Sequence, residues 1–96
     1  MGKVGCLAIP GLELWFNSND HLPWHFHVRK SGQWEIRVSF LECTKEGLVW
    51  ELKWAKRGSG PTGPEKRRLL VAVLAHREAL LREWDAKVPA AQGGGR

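Results

Sequence analysis

The chain contains no tyrosine, one methionine and only two cysteines among its 96 residues. Cys6 and Cys43 form no C-x-x-C pair, so a cysteine-based zinc ribbon or a thioredoxin-type redox site is not on offer. Free thiols in a reduced compartment are the expectation, and a disulfide would require the fold to bring the two together. No apolar run approaches the roughly 18 residues of a membrane span, and no signal-peptide pattern is visible. The sequence therefore reads as a cytoplasmic protein with no membrane partner. Acidic residues are the other shortage, 10 against 15 Lys plus Arg, for a net charge of +5. That imbalance favours an acidic partner, RNA or DNA above all. The length suits a single domain, expected over residues 1–89, with a Gly-rich flexible tail over 90–96.

Tryptophan, by contrast, is abundant at six. The stretch Asn19-Asp20-His21-Leu22-Pro23-Trp24-His25-Phe26-His27-Val28-Arg29 holds three of the four histidines. Within it Trp24, Phe26 and Val28 alternate with His25, His27 and Arg29, the period of a half-buried strand. Such a strand buries its aromatic face and presents two imidazoles and a guanidinium on the other.

In chain order, runs over 3–9 and 12–17 read as strands joined at Pro10-Gly11, with Ile9 opposite Leu12 and Leu7 opposite Leu14. Trp15 falls on the far face beside Glu13 and Asn17, where it covers open sheet or stacks a ligand. After a loop over 18–23, strands over 24–29 and 33–40 are expected to pair across a three-residue loop with Gly32 left-handed. That register sets Val28 against Trp34, Phe26 against Ile36, Trp24 against Val38, His27 against Glu35 and His25 against Arg37. A fifth strand over 48–54 continues the apolar face, with Phe40 opposite Leu48, Arg37 opposite Glu51 and Glu35 opposite Lys53. Trp24, Trp34, Trp50, Trp54 and Trp84 are placed in the core and Trp15 outside it. Thr62-x-x-Glu65 is a capping box with Pro64 in the first turn, opening a helix that ends at 87 or 88, before Pro89. Its apolar stripe is Leu69, Leu70, Val73, Leu80, Leu81, Trp84 and Val88. Arg77 lies inside that stripe, either snorkelling or aimed at the end of the sheet. The fold class is α+β, an antiparallel meander of about five strands with one C-terminal helix on one face.

Three chemical readings compete for these residues. His25 and His27, two apart on a strand, project side by side, and His21 with Asp20 or Glu35 would complete a divalent transition-metal site. The same two imidazoles, with Arg29 or Arg37 as cation and Glu35 to orient His27, also suit metal-free acid–base chemistry on a phosphodiester. Plain binding is the third reading. Lys53, Lys56, Arg57, Lys66, Arg67 and Arg68 set six cations against one carboxylate, Glu65, between 53 and 68. A protein partner docking on an edge strand, 3–9, fits the same data. The bland alternative is that Asn19, Asp20 and Pro23 satisfy a turn, the histidines cover a sheet, and the cations are solvated surface.

The segment Asn19-Asp20-His21-Leu22-Pro23-Trp24-His25-Phe26-His27-Val28 resembles the bacterial domain-of-unknown-function family numbered 4160, whose signature is Asn-Asp-His-x-Pro-Pro-His-x-His-Val. Trp24 stands where that pattern has its second proline. His76-Arg77-Glu78, Leu81 and Trp84 resemble the family's closing helix, so the likeness covers about residues 3–88. The resemblance implies no particular reaction. It implies a setting, a gene paired with a small cognate protein in modules of toxin–antitoxin type.

Overall fold

A computed structural model describes residues 2–17 and 24–87. Asn19, Asp20, His21 and Pro23 of the histidine segment, together with Val88, Pro89 and the tail 90–96, lie outside the described residues.

The architecture is α+β: four full antiparallel strands and a two-residue edge strand in one meander, with a single C-terminal helix on one face. The strands are β1 (Gly2–Lys3), β2 (Glu13–Phe16), β3 (Phe26–Lys30), β4 (Trp34–Val38) and β5 (Trp50–Ala55), and the helix α1 spans Gly63–Lys87. Neighbours in space are neighbours in sequence. Leu14, Phe16, Phe26, Val28, Trp34, Ile36 and Val38 form the inner face and are buried against Leu69, Val73, Leu80 and Trp84 of the helix. Glu13, Trp15, His27, Arg29, Glu35 and Arg37 alternate with the strand residues and take the outer face.

The first strand is shorter than its apolar run predicts. Gly2 and Lys3 pair with Phe16 and Trp15, Val4 N–H donates to the Leu14 carbonyl at 3.0 Å, and there the ladder ends. Two causes are visible. Pro10 and Gly11 do make the expected turn, with Leu12 N–H donating to the Ile9 carbonyl at 3.0 Å and Gly11 at φ 86°. Proline at its second position, with a left-handed glycine after it, makes this a type II turn, whose twist splays its flanking chains. Meanwhile Glu83 of the helix takes the Gly5 amide at 2.9 Å and the Cys6 amide at 2.7 Å. Leu7 and Ile9 still enter the core, but as irregular chain.

Between β3 and β4 the loop is three residues long and Gly32 is left-handed at φ 75°, as expected, yet the register is displaced by two. Lys30 pairs with Trp34, Val28 with Ile36, His27 with Arg37 and Phe26 with Val38. His27 is therefore not directly opposite Glu35, which instead faces Arg29. The displacement leaves every apolar side chain on its predicted face. On β5 the pairing of Arg37 with Glu51 holds, but a bulge follows, so that Ile36 faces Leu52 while Glu35 faces Trp54. The extra residue moves Trp54 to the outer face, where it is 43% exposed and its Nε1–H donates to Glu35 at 3.3 Å. Trp34 and Trp84 are buried as expected, Trp50 is half-buried, and Trp24 joins Trp54 outside the core.

The helix begins where the capping box places it. Glu65 N–H donates to Thr62 Oγ1 at 3.2 Å and Thr62 N–H to Glu65 Oε1 at 2.8 Å, the reciprocal pair that satisfies two first-turn amides. Its course bends at His76, whose φ of −123° departs from helical geometry. At the next residue, Arg77 is aimed at the sheet's end: its Nη2 donates to the Cys43 carbonyl.

Candidate functional site

The outer face of the sheet is organised around His27. Trp15 is its direct partner on β2, and the two rings stack at 5.3 Å between centroids and 19° between planes. Trp15 Nε1–H donates to Asn17 Oδ1 at 2.9 Å, and Asn17 Nδ2 meets His27 Nε2 at 3.1 Å. An indole N–H only donates, so Asn17 must turn its oxygen to Trp15 and its amide hydrogens to His27. His27 Nε2 is then an acceptor, and the ring proton belongs to Nδ1, which looks towards Glu35 Oε2 at 4.0 Å. The contact with Glu35 expected across the strand pair is thus made diagonally.

Cations of this face are matched by carboxylates. Arg29 donates to Glu13 Oε1 through Nε at 3.1 Å and Nη2 at 2.5 Å, and its guanidinium lies 5.4 Å from the Trp15 ring centroid. That bond raises the Arg29 pKa further. Arg37 pairs with Glu51 at 2.8 Å.

His25 is not displayed beside His27 on the open face. It precedes β3 and is 2% exposed. Its ring packs edge-on against His27 at 5.1 Å and against Trp84 at 5.5 Å, so it ties the helix to the start of the strand. His27 itself is 6% exposed. For a transition metal, His25 and His27 meet edge to face, and His27 Nε2 is engaged by Asn17. Among the described residues no group of three or more His, Cys, Asp or Glu is placed to hold a metal ion, and His21 and Asp20 lie outside them.

The basic residues divide between two sides of the helix start. Lys66 Nζ lies over the Trp50 ring at 5.5 Å, in a groove that Gly47, Leu48, Arg67 and Leu70 complete. Arg67 and Arg68 border a second groove with Pro10, Pro64 and Val71. Lys53, Lys56 and Arg57 are exposed on β5 and the turn after it. Among the described residues none of Lys53, Lys56, Arg57, Arg67 and Arg68 is ion-paired, whereas Glu65, the carboxylate within that run, is held by Lys30 at 2.9 Å.

Asn17, Glu13 and Glu83 carry contacts that pattern reading did not assign. Asn17 could have been found only from the pairing of β2 with β3, which brings Trp15 to His27. Glu83, an acidic residue on a helix flank, gives no local signal, because its partners are backbone amides far away in the chain.

A meander with one helix across its inner face and a His/Trp/Arg outer face defines a small α+β domain. The chain belongs to the family described as "Domain of unknown function (DUF4160)", whose profile matches residues 11–85. The comparisons with curated proteins and with solved structures gave no match. No helix among the described residues is long and apolar enough to cross a membrane.

Proposed function

We propose that this domain binds nucleic acid, as one member of a paired toxin–antitoxin-like or regulatory system in the cytoplasm. The cations that follow β5 and open α1 would hold the phosphate backbone. One observation carries the reading. The outer-face guanidiniums of Arg29 and Arg37 are taken by Glu13 and Glu51, while among the described residues no carboxylate pairs with Lys53, Lys56, Arg57, Arg67 or Arg68. A phosphate backbone is attracted to unpaired cations, since an ion pair already formed must be broken before it can serve. Arg67 and Arg68, with Lys66 before them, crowd the first turns of a helix, where they oppose the helix dipole, so helix stability does not explain them. The paired setting and the small cognate protein are supported by the family resemblance, and the compartment by the two free thiols, Cys6 and Cys43. The His/Arg sheet face enters as the scaffold that orients this edge.

Fluorescence anisotropy with labelled single-stranded RNA and duplex DNA, over a salt series, tests the proposal. Binding should weaken steeply with salt, and replacing Arg67 and Arg68 by Gln should lower the slope of log K against log salt by roughly 1–2. A double variant at Lys56 and Arg57 should act the same way, and His25→Ala should not change the slope. Absence of salt-dependent binding to either nucleic acid overturns the reading.

A further inference from the structure

The two edges of the sheet are unlike each other. On one side β1 is two residues long, and the amides that would extend it, Gly5 and Cys6, are held by Glu83. On the other side β5 runs for six residues with no strand beyond it among the described residues. Val49 just before it, Leu52 at 50% exposure and Trp54 are large apolar side chains left in solvent.

The backbone of this edge has a definite polarity. Ser39 N–H donates to the Val49 carbonyl at 3.0 Å, which turns the peptide groups of Val49 towards β4. In an antiparallel ladder that direction alternates, so Glu51 also faces β4 while Trp50 and Leu52 aim their N–H and C=O groups outwards. Lys53 is the extra residue of the bulge between Leu52 and Trp54. Glu51 and Leu52 sit on opposite faces, and the Glu51 carboxylate stays largely exposed although Arg37 takes one of its oxygens.

We propose that β5 pairs with β5 of a second copy of this chain, antiparallel, about a two-fold axis at Leu52. The segment Glu51-Leu52-Lys53 is its own complement when reversed: its centre is leucine, and the residues flanking the centre are opposite charges. In this register Leu52 faces Leu52 of the second copy, with two reciprocal backbone hydrogen bonds from groups already pointing outwards. Glu51 faces Lys53 of the second copy, and the symmetry repeats that pair. Sliding by two residues in either direction would set Glu51 against Glu51 or Lys53 against Lys53, and like charges directly opposed are destabilising. Sliding by one would oppose an outward-facing peptide with an inward-facing one. Charge and backbone direction therefore select one alignment, and that alignment needs a partner with this same sequence. The bulge at Lys53 keeps the contact short. Because the β1 edge is closed by Glu83, the assembly stops at two copies instead of growing into a filament. Of the cations assigned to the phosphate backbone the dimer engages only Lys53 and leaves Lys56, Arg57, Arg67 and Arg68 to that role, so the two readings are tested by different variants.

Analytical ultracentrifugation of the full chain, with circular dichroism as a check on folding, decides the matter. Wild type should sediment in a concentration-dependent monomer–dimer equilibrium. Glu51→Lys and Lys53→Glu should each weaken dimerisation, at least ~10-fold in Kd, because each places like charges across the axis. Mixing these two single variants should restore association as a heterodimer, since positions 51 and 53 are then both cationic in one copy and both anionic in the other. The double variant E51K/K53E should dimerise with itself. A wild type that stays monomeric at its solubility limit overturns the proposal and leaves the edge to a strand of another protein. A dimer that is indifferent to both single changes, or singles that do not recombine on mixing, overturns it as well.

Discussion

His27 and Trp15 stand opposite each other on neighbouring strands and stack at 5.3 Å, with Asn17 bridging the indole nitrogen of one to the imidazole nitrogen of the other. The bridge settles which ring nitrogen of His27 carries its proton when the ring is neutral. Nitrogen-15 shifts of the imidazole should show an unprotonated Nε2 and a protonated Nδ1. Asn17→Leu should remove that bias and cost about 1–3 kcal/mol in urea denaturation, because a donor and an acceptor lose their partners together. An Nε2–H tautomer in the wild type would refute the assignment.

Glu83 links the helix to the N-terminal segment. Its carboxyl is desolvated, which by itself raises the pKa, yet hydrogen bonds from Cys6, Lys87 and the Gly5 and Cys6 amides outweigh this and bring it down to about 2 from 4.5. A depressed carboxyl pKa stabilises the fold above the unfolded value of 4.5 and ceases to do so as pH falls through about 2. Lowering the pH across that window should therefore remove on the order of 2 kcal/mol, after allowance for partial exposure. Glu83→Gln should be less stable than wild type at pH 6 and show a flatter acid limb. Equal slopes in the two proteins would count against this account.

Cys6 is half-buried but should be a poor nucleophile. Burial, then the hydrogen bond and the charge of Glu83, push its thiol up to about 12 from 9.0. Alkylation by iodoacetamide at pH 8, followed by mass spectrometry, should be on the order of a hundredfold slower than for an unperturbed exposed thiol. In Glu83→Gln the charge of Glu83 no longer opposes ionisation while burial and the lowering influence of Lys87 stay, and the rate should rise. Cys43, buried and raised for the same first reason, should stay unreactive in both.

The helix start offers a separable pair of effects. Thr62→Ala removes the acceptor for the Glu65 amide and should cost about 1 kcal/mol. Glu65→Gln keeps an acceptor for the Thr62 amide but deletes the pair with Lys30, whose ammonium is 2.9 Å away. Its cost should shrink as salt is added, whereas the Thr62→Ala cost should not. Thermal melts at low and high ionic strength distinguish the two.

Arg77 is a structural bolt between layers. Its Nη2 donates to the Cys43 carbonyl, and among the described residues its buried Nε has no partner. Arg77→Met should retain the packing of the stem and lose about 1–3 kcal/mol through the abandoned carbonyl. Arg77→Lys should recover part of it, and a Met variant as stable as wild type would contradict this role.

The faces of the strands were determined by the sequence alone. Alternation of Phe26, Val28, Trp34, Ile36 and Val38 with charged residues assigns each side chain to one layer, because only one pattern buries the apolar set. The capping box, the helix it opens and the α+β class follow from equally local rules. Tertiary structure decided what that pattern cannot distinguish. A displacement of two residues leaves every side chain on its face, so alternation is blind to whether Glu35 or Arg37 stands opposite His27. One extra residue at Lys53 reverses the face of Trp54 at no cost to the preceding pairs. Distant groups decided the remainder: Glu83 draws the amides of Gly5 and Cys6 away from the sheet, and Trp84 packs over His25. In both cases the partners are joined only after the helix has crossed the sheet, and no local period in the chain anticipates their meeting.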